Sequence, residues 1–526
     1  MKRWTPVFLL IVTCTLLGRA GAAPPYDLVL RGGRVADGTG NPVFTADVAV
    51  KDGRVAAIGR IPAGAGPKLD ARGLVVAPGF IDVHTHCENI TSLPKAENFV
   101  RMGVTSIVTG NCGGSVLDVA EFFKRIEDTK VAVNVATLYG HNTARREAMG
   151  GSFQREPTEA ELARMRALVE QGMKDGAVGL STGLIYLPGT FSKTEEIVEL
   201  AKVASRYDGI YSSHMRNEGN NILDSLDELF RIAREAKIRA DVSHIKLSGN
   251  SAWGRAAEVL AAIERARAEG LDVTQDQYAY TASSTGIATL IPSTALEGGG
   301  AAFRQRIADP EQKAKIVAQM KETLRRGARK DYAYAVIASY ATDRSMNGKS
   351  IPEVARLKRG SDSLDDQIET ILEIERSGGA SGVFHGMNED DLQAFLRHPN
   401  TMIASDGGVR EKGESVPHPR SYGNNARVLA RYVRELKLLR LEDAIRKMSS
   451  LPATAFRLRD RGFVRPGAWA DLVAFDPAKV QDDATFNDPH HFSRGMVHVL
   501  VNGAAVIRGG EMTGDRPGVP LRHRAD

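Results

Sequence analysis

Six side chains of metal-binding type recur at equivalent places along the 526-residue chain: His84, His86, Cys112, His214, His244 and Asp406. Each closes or follows a short apolar run: "VVAPGFIDVHTH", "VTSIVTGNC", "GIYSSH", "IRADVSH" and "TMIASD". Imidazole and thiolate are good zinc ligands, the thiolate being the softer. A catalytic zinc keeps one position for water and lowers that water's pKa to about 7. A neighbouring carboxylate, here Asp406, can take the water proton and hand it to a leaving nitrogen. His84 and His86 stand two apart on a strand, a spacing that aims both at one face. Each residue also has a plainer role open to it. Cys112 could pack as a small apolar group, His214 and His244 could be satisfied core histidines, and Asp406 could cap a helix. His141 reads as a support at the barrel top. Strand alternation turns Cys87 away from His86 and toward packing. A disulfide between Cys87 and Cys112 would dismantle the site.

The elements that must position these groups alternate between strands and helices over residues 79–460. The strand-like runs carry the six residues and add "VAVNVATLYGHN", "GAVGLSTGLIY" and "LDVTQDQYAY". That makes eight strand–loop units, the number required by an α/β TIM (β/α)₈ barrel, whose active site lies at the C-terminal ends of the strands. Helices fill the intervals, as in "PTEAELARMRALVEQGMKDG", with Pro and Thr at its start and Gly at its end. Residues 287–350 break the rhythm with Gly-rich and charged helical stretches, and we read them as an insertion near the last strands, a lid. Residues 27–78 and 461–515 share a texture of short alternating strands and Gly turns. We expect the two ends to pack together as one small β-sandwich, because a lone hairpin is too small to be stable.

Composition narrows the function class. Apolar residues make up 42% and charged residues 25% of the chain, the balance of a globular enzyme. Residues 1–22 read as an export signal: Lys2 and Arg3, an apolar run from Val7 to Leu17, then Ala20-Gly21-Ala22 as a cleavage site. The expected location is periplasmic or secreted, with no membrane span left after cleavage. Loss of Lys2, Arg3 and Arg19 takes the formal charge from +5 to +2. So small an excess, with no basic stripe, argues against nucleic acid as a partner. The sequence leaves the oligomeric state open.

The ordered set "VVAPGFIDVHTH", "VTSIVTGNCGG", "GLSTGLIY", "YSSHMRNEG", "VSHIKLSG", "QYAYTASST", "FHGMNEDDL", "MIASDGG" and "HPRSYG" resembles the D-aminoacylase (N-acyl-D-amino-acid deacylase) family of amidohydrolases, over nearly the whole chain after residue 22. The resemblance implies zinc-dependent hydrolysis of N-acyl-D-amino acids to a carboxylate and a free D-amino acid. Related activities on D-containing dipeptides or cyclic amides are the alternative. It implies a tightly held Zn²⁺ on Cys112, His214 and His244, and a second, weaker metal site on His84 and His86. Asp406 matches the catalytic aspartate and Tyr186 a tyrosine that polarises the scissile carbonyl. Lys246, Tyr280, Ser284 and Arg420 match substrate-binding positions, where Lys or Arg suits a carboxylate. Three stretches depart from the common pattern: Ile245 in place of a second His, Cys87-Glu88 after the His pair, and "NNAR" after "HPRSYG". We expect these departures at the pocket rim.

Overall fold

Runs of Val, Ile and Ala bounded by turn residues become strands buried on both faces, as a parallel sheet wrapped by helices requires. The computed structural model describes residues 25–413 and 415–523. The expected export signal, residues 1–22, lies outside them. The eight barrel strands are Phe80–Asp82, Val104–Thr109, Asn134–Thr137, Gly179–Gly183, Ile210–His214, Arg239–Val242, Val273–Gln277 and Thr401–Ile403. Successive neighbours are parallel. The third continues into Tyr139–Gly140, which pairs with the fourth. The ring closes where Asp406 N donates to His84 O at 2.8 Å and His86 N donates to Gly407 O at 2.7 Å. Closure thus joins the two strand ends that carry three of the six candidate residues.

Helices pack outside the barrel. Glu159–Lys174 starts on a capping box, Thr158 with Glu161, and buries Met165, Val169 and Met173. Ile222–Ala236 turns Ile222, Leu226, Leu229, Ile232 and Ala233 inward. Among the described residues, no helix is long and apolar enough to cross a membrane.

The two chain ends do meet. Leu28–Val35, Phe44–Lys51, Arg54–Gly59, Lys68–Asp70 and Val75–Pro78 join Leu472–Phe475, Met496–Val501, Ala504–Arg508 and Glu511–Met512 in one mixed, nine-stranded sheet. The seam is the antiparallel pair of Val75–Pro78 with Leu472–Phe475. The expected sandwich is thus a single hydrogen-bonded sheet, with separate apolar clusters including Leu30, Val48 and Leu472 in one and Val29 and Ala49 in another.

The insertion is larger than residues 287–350. Between the seventh and eighth barrel strands, Ser283–Gly286, Ser381–Phe384 and Ala335–Ser339 form an antiparallel sheet in that order. The helices Gly299–Ala308, Pro310–Arg326, Ile351–Arg359 and Leu364–Arg376 accompany it. They share a core of their own around Ile287, Met320, Ile337, Ile368 and Ile371. The module therefore folds as a unit and presents one edge to the barrel mouth.

Candidate metal centre

The barrel brings donors from four strand ends to one point. Cys112 Sγ lies 3.3 Å from His84 Nε2, 3.7 Å from His214 Nδ1 and 3.5 Å from His244 Nε2. Three overlapping donor groups have atoms within 4.8 Å of one another: His84, His86 and Cys112; Cys112, His214 and His244; His84, His244 and Asp406. Cys112, His244 and Asp406 all have left-handed backbone, with φ of 54°, 35° and 52°. That conformation is uncommon for non-glycine residues, and such strain gathers at functional sites. Gly183 permits the turn at Cys112: a Cβ there would lie 2.0 Å from the Cys112 carbonyl oxygen. Cys87 and Cys112 are both free and buried, so no disulfide competes for the thiol.

The electrostatics fit a cation. Burial holds the imidazoles of His214 and His244 well below their usual range, and that of His84 at about 4, so all three are neutral bases near pH 7. Burial pushes the Cys112 thiol well up, aided by Asp406. A thiolate here needs a metal charge beside it, and such a cation deprotonates a coordinating thiol. His214 turns Nδ1 to the thiol, while its Nε2 makes no hydrogen bond and lies 3.5 Å from Glu218 Oε2. His84 Nδ1 lies 3.1 Å from Asp276 Oδ2, which leaves His84 Nε2 facing the thiol. His244 Nδ1 is 3.1 Å from Glu218 Oε1 and 2.7 Å from Lys246 Nζ. Lys246 and Glu218 thus engage Nδ1 from outside the centre and orient the ring, which leaves Nε2 turned to the thiol and a metal. A soft thiolate with neutral imidazoles suits zinc.

Asp406 faces this centre. Its Oδ1 is 3.1 Å from His86 Nε2 and 3.7 Å from His84 Nε2, and its Oδ2 is 2.8 Å from Arg420 Nη1. Burial alone would raise its pKa, but Arg420, His84 and His86 outweigh that and hold the carboxyl well below the usual range. Asp406 is therefore an ionised proton acceptor. Tyr186 packs against His214, with ring centroids 4.8 Å apart and planes inclined by 60°. Burial keeps its hydroxyl protonated.

The centre opens into a cavity of about 620 Å³ lined by His86, Cys112, Tyr186, His214, His244, Lys246, Ser284, Asp406 and Arg420, with the insertion forming one wall. Lys246 Nζ is held by Glu218 at 2.5 Å. Arg420 lies over Tyr278 at 4.7 Å and donates to the Ser284 carbonyl at 3.4 Å. Tyr280 does not reach this cavity. It is buried behind the wall among His418, Phe486 and Arg427, because the loop after the seventh strand turns it outward. The three departures also lie away from the rim. Ile245 and Cys87 are in the barrel core. Glu88 accepts from Thr109 Oγ1 and Gly110 N, and Asn424 accepts from Ala279 N. His141 pairs with Glu196, which also binds Arg145, in a buried support away from the metal donors. Glu218 and Asp276 were missed by sequence reasoning. The acid four residues after His214 and the acid inside the seventh strand were the available signals.

The profile of the amidohydrolase family matches residues 69–507. The D-aminoacylase of Alcaligenes xylosoxydans xylosoxydans is 37% identical over 95% of this chain and 98% of that protein. A crystal structure of D-aminoacylase superposes with a TM-score of 0.81 at 34% identity, covering 95% of this chain and 100% of that one. The N-acyl-D-glutamate deacylase of Bordetella bronchiseptica, solved with zinc and a phosphonate mimic of the tetrahedral intermediate, gives 0.80 at 34% identity over 94% of this chain and 99% of that one. With the barrel, the donor set and these full-length likenesses together, the chain belongs to the D-aminoacylase (N-acyl-D-amino-acid deacylase) family of the amidohydrolase superfamily.

Proposed function

We propose that this protein is a zinc-dependent N-acyl-D-amino-acid deacylase that works outside the cytoplasm. The observation that carries the chemistry is the convergence of Cys112, His214 and His244 on one point with ionised Asp406 beside it. Zinc on those three residues, when bound, supplies a Lewis acid for the amide oxygen and acidifies a water. Asp406 accepts the water proton and delivers it to the departing amine nitrogen. The Tyr186 hydroxyl donates to the oxygen on which charge develops, the kind of preorganised donor that usually supplies the largest catalytic term. Arg420 and Lys246 hold the substrate's α-carboxylate, with Ser284 beside them, and so fix which enantiomer presents its amide. His86, more exposed than His84, completes a second, weaker cation position with His84.

The test is a panel of N-acyl-D-amino acids, N-acyl-L-amino acids, D-containing dipeptides and cyclic amides on zinc-loaded protein. Turnover of N-acyl-D-amino acids above all others is expected. Absence of any turnover with them overturns the assignment. Export rests on Lys2, Arg3, the apolar run and Ala20-Gly21-Ala22. Cell fractionation is expected to place a chain starting at Ala23 outside the cytoplasm, and an uncleaved cytoplasmic chain contradicts it.

A further inference from the structure

The cavity wall has more cations than the reaction uses. Among the described residues, two carboxylates line it, Glu218 and Asp406. Each is already engaged, Glu218 by Lys246 and Asp406 by Arg420 and His86. Arg146, Arg329 and Arg410 line the same cavity. Arg146 and Arg410 are exposed at its edge, while Arg329 is half-buried. Arg216 and Arg427, also half-buried, sit on carboxylates, Glu228 and Asp482, while the half-buried Arg306 donates to the backbone carbonyls of Ala295 and Glu297. Arg329 lines the cavity with no carboxylate in ion-pair reach among the described residues.

Its position is built. Arg329 follows the helix Pro310–Arg326, and its guanidinium carbon lies 3.4 Å from the ring centroid of Tyr334. Gly386 leaves it room, since a Cβ there would fall 2.5 Å from Nη2. The Gly386 carbonyl is fixed by Gly249 N at 2.9 Å and Trp253 Nε1 at 3.0 Å. A guanidinium stacked by its face presents its N–H edge in the fork geometry that matches a carboxylate. Thr289, Ser339 and Ser381 supply hydroxyls along the same wall.

We propose that Arg329 is a specificity-determining residue that receives a second carboxylate of the substrate, an inference that rests on the deacylase reading above. Arg420 and Lys246 take the α-carboxylate, and Arg329 selects among N-acyl-D-amino acids for those with another negative charge. That charge comes either from an acidic amino-acid side chain or from a dicarboxylic acyl group.

The experiment compares kcat/KM within two pairs: N-acetyl-D-glutamate against N-acetyl-D-glutamine, and N-succinyl-D-leucine against N-pentanoyl-D-leucine. In the native enzyme the charged member of at least one pair is expected to win by about tenfold or more, the scale of a charge-assisted contact. The winning pair identifies the source of the carboxylate. Arg329→Leu brings the ratio to about one, and Arg329→Lys leaves it in between. Because each ratio is read on one protein preparation, a loss of folded enzyme cancels. Ratios near one in the native enzyme for both pairs, or a ratio unchanged by Arg329→Leu, overturn the proposal. If none of the four is turned over, the deacylase reading fails, and calorimetry of the same compounds on the zinc-loaded protein decides separately. Tighter binding of a charged member that disappears in Arg329→Leu sustains the role of Arg329, and equal binding within both pairs ends it.

Discussion

The barrel mouth and the terminal sheet are both densely buried, yet they treat polar groups in opposite ways. In the sheet region the buried ions satisfy one another: Arg461 pairs with Asp471 and donates to Asn502 at 3.0 Å, and Asn502 closes the network on Asn134 at 2.8 Å. Its left-handed residues Asp52 and Asn502 sit in hairpin turns, where that backbone is at home. At the mouth, three left-handed residues carry donors, neutral imidazoles crowd a thiol, and His214 Nε2 makes no hydrogen bond, with only Glu218 Oε2 at 3.5 Å beside it. The lesson is that one region is locally consistent and the other is complete only with a cation and substrate.

The sharpest way to break this contrast is Asp406→Asn. It is expected to retain zinc by metal analysis while kcat falls by about 10²- to 10⁴-fold; retained activity would remove Asp406 as proton carrier. In the sheet, Arg461→Met leaves Asp471 buried without its cation and is expected to cost about 3–5 kcal/mol in denaturant unfolding. Its zinc stoichiometry stays unchanged, and a loss of zinc would show that the two regions are coupled. Glu218→Gln weakens the carboxylate behind His244 and is expected to lower zinc affinity by about 10- to 100-fold in chelator competition. An unchanged affinity would reduce Glu218 to a partner of Lys246. At Cys112 both Gly and Ala remove the thiol, but only Gly accepts φ of 54° without strain. The metal-free Gly variant is expected to be the more stable by about 1–2 kcal/mol; the reverse order would mean that the backbone there is relaxed.

The last effect is read as a pH dependence and lies at the barrel floor. Lys447 donates to the carbonyl of Thr401 at 3.1 Å, and burial lowers its pKa to about 7, with Arg446 adding to the effect. Folded, it gives up its proton at a lower pH than it does unfolded, so the unfolded chain binds the extra proton between about 7 and the normal 10.5. Stability due to this group therefore rises with pH across that window and is flat below it. Lys447→Met should flatten the rise in urea titrations at pH 7 to 10, and an unchanged slope would assign it to other groups.

Much of this contrast was legible in the sequence, for a physical reason. Barrel strands are short apolar runs, and a polar residue at the end of such a run is conspicuous, which exposed His84, His86, Cys112, His214, His244 and Asp406. The meeting of the two chain ends was legible from their matching texture, but their union in one nine-stranded sheet was not, because strand pairing across the seam is set by long-range contacts. Glu218 and Asp276 were not, because an acid four residues after His214 and an acid inside a strand are weak signals, and the contacts to His244 and His84 run across the barrel. Tyr280 was misplaced for a related reason: Tyr278 and Tyr280 share a loop, and only its backbone path decides which of them meets Arg420. The insertion was cut short because Ile351–Arg359 and Leu364–Arg376 look like ordinary barrel helices until they pack on Met320 and Ile337.

X-ray absorption at the zinc edge, on protein loaded with one equivalent of metal, tests the centre most directly. The expected result is one sulfur neighbour at about 2.3 Å with nitrogen neighbours at about 2.0–2.1 Å, the sulfur signal disappearing in Cys112→Gly. A first shell of nitrogen and oxygen alone would contradict a centre built on the Cys112 thiolate.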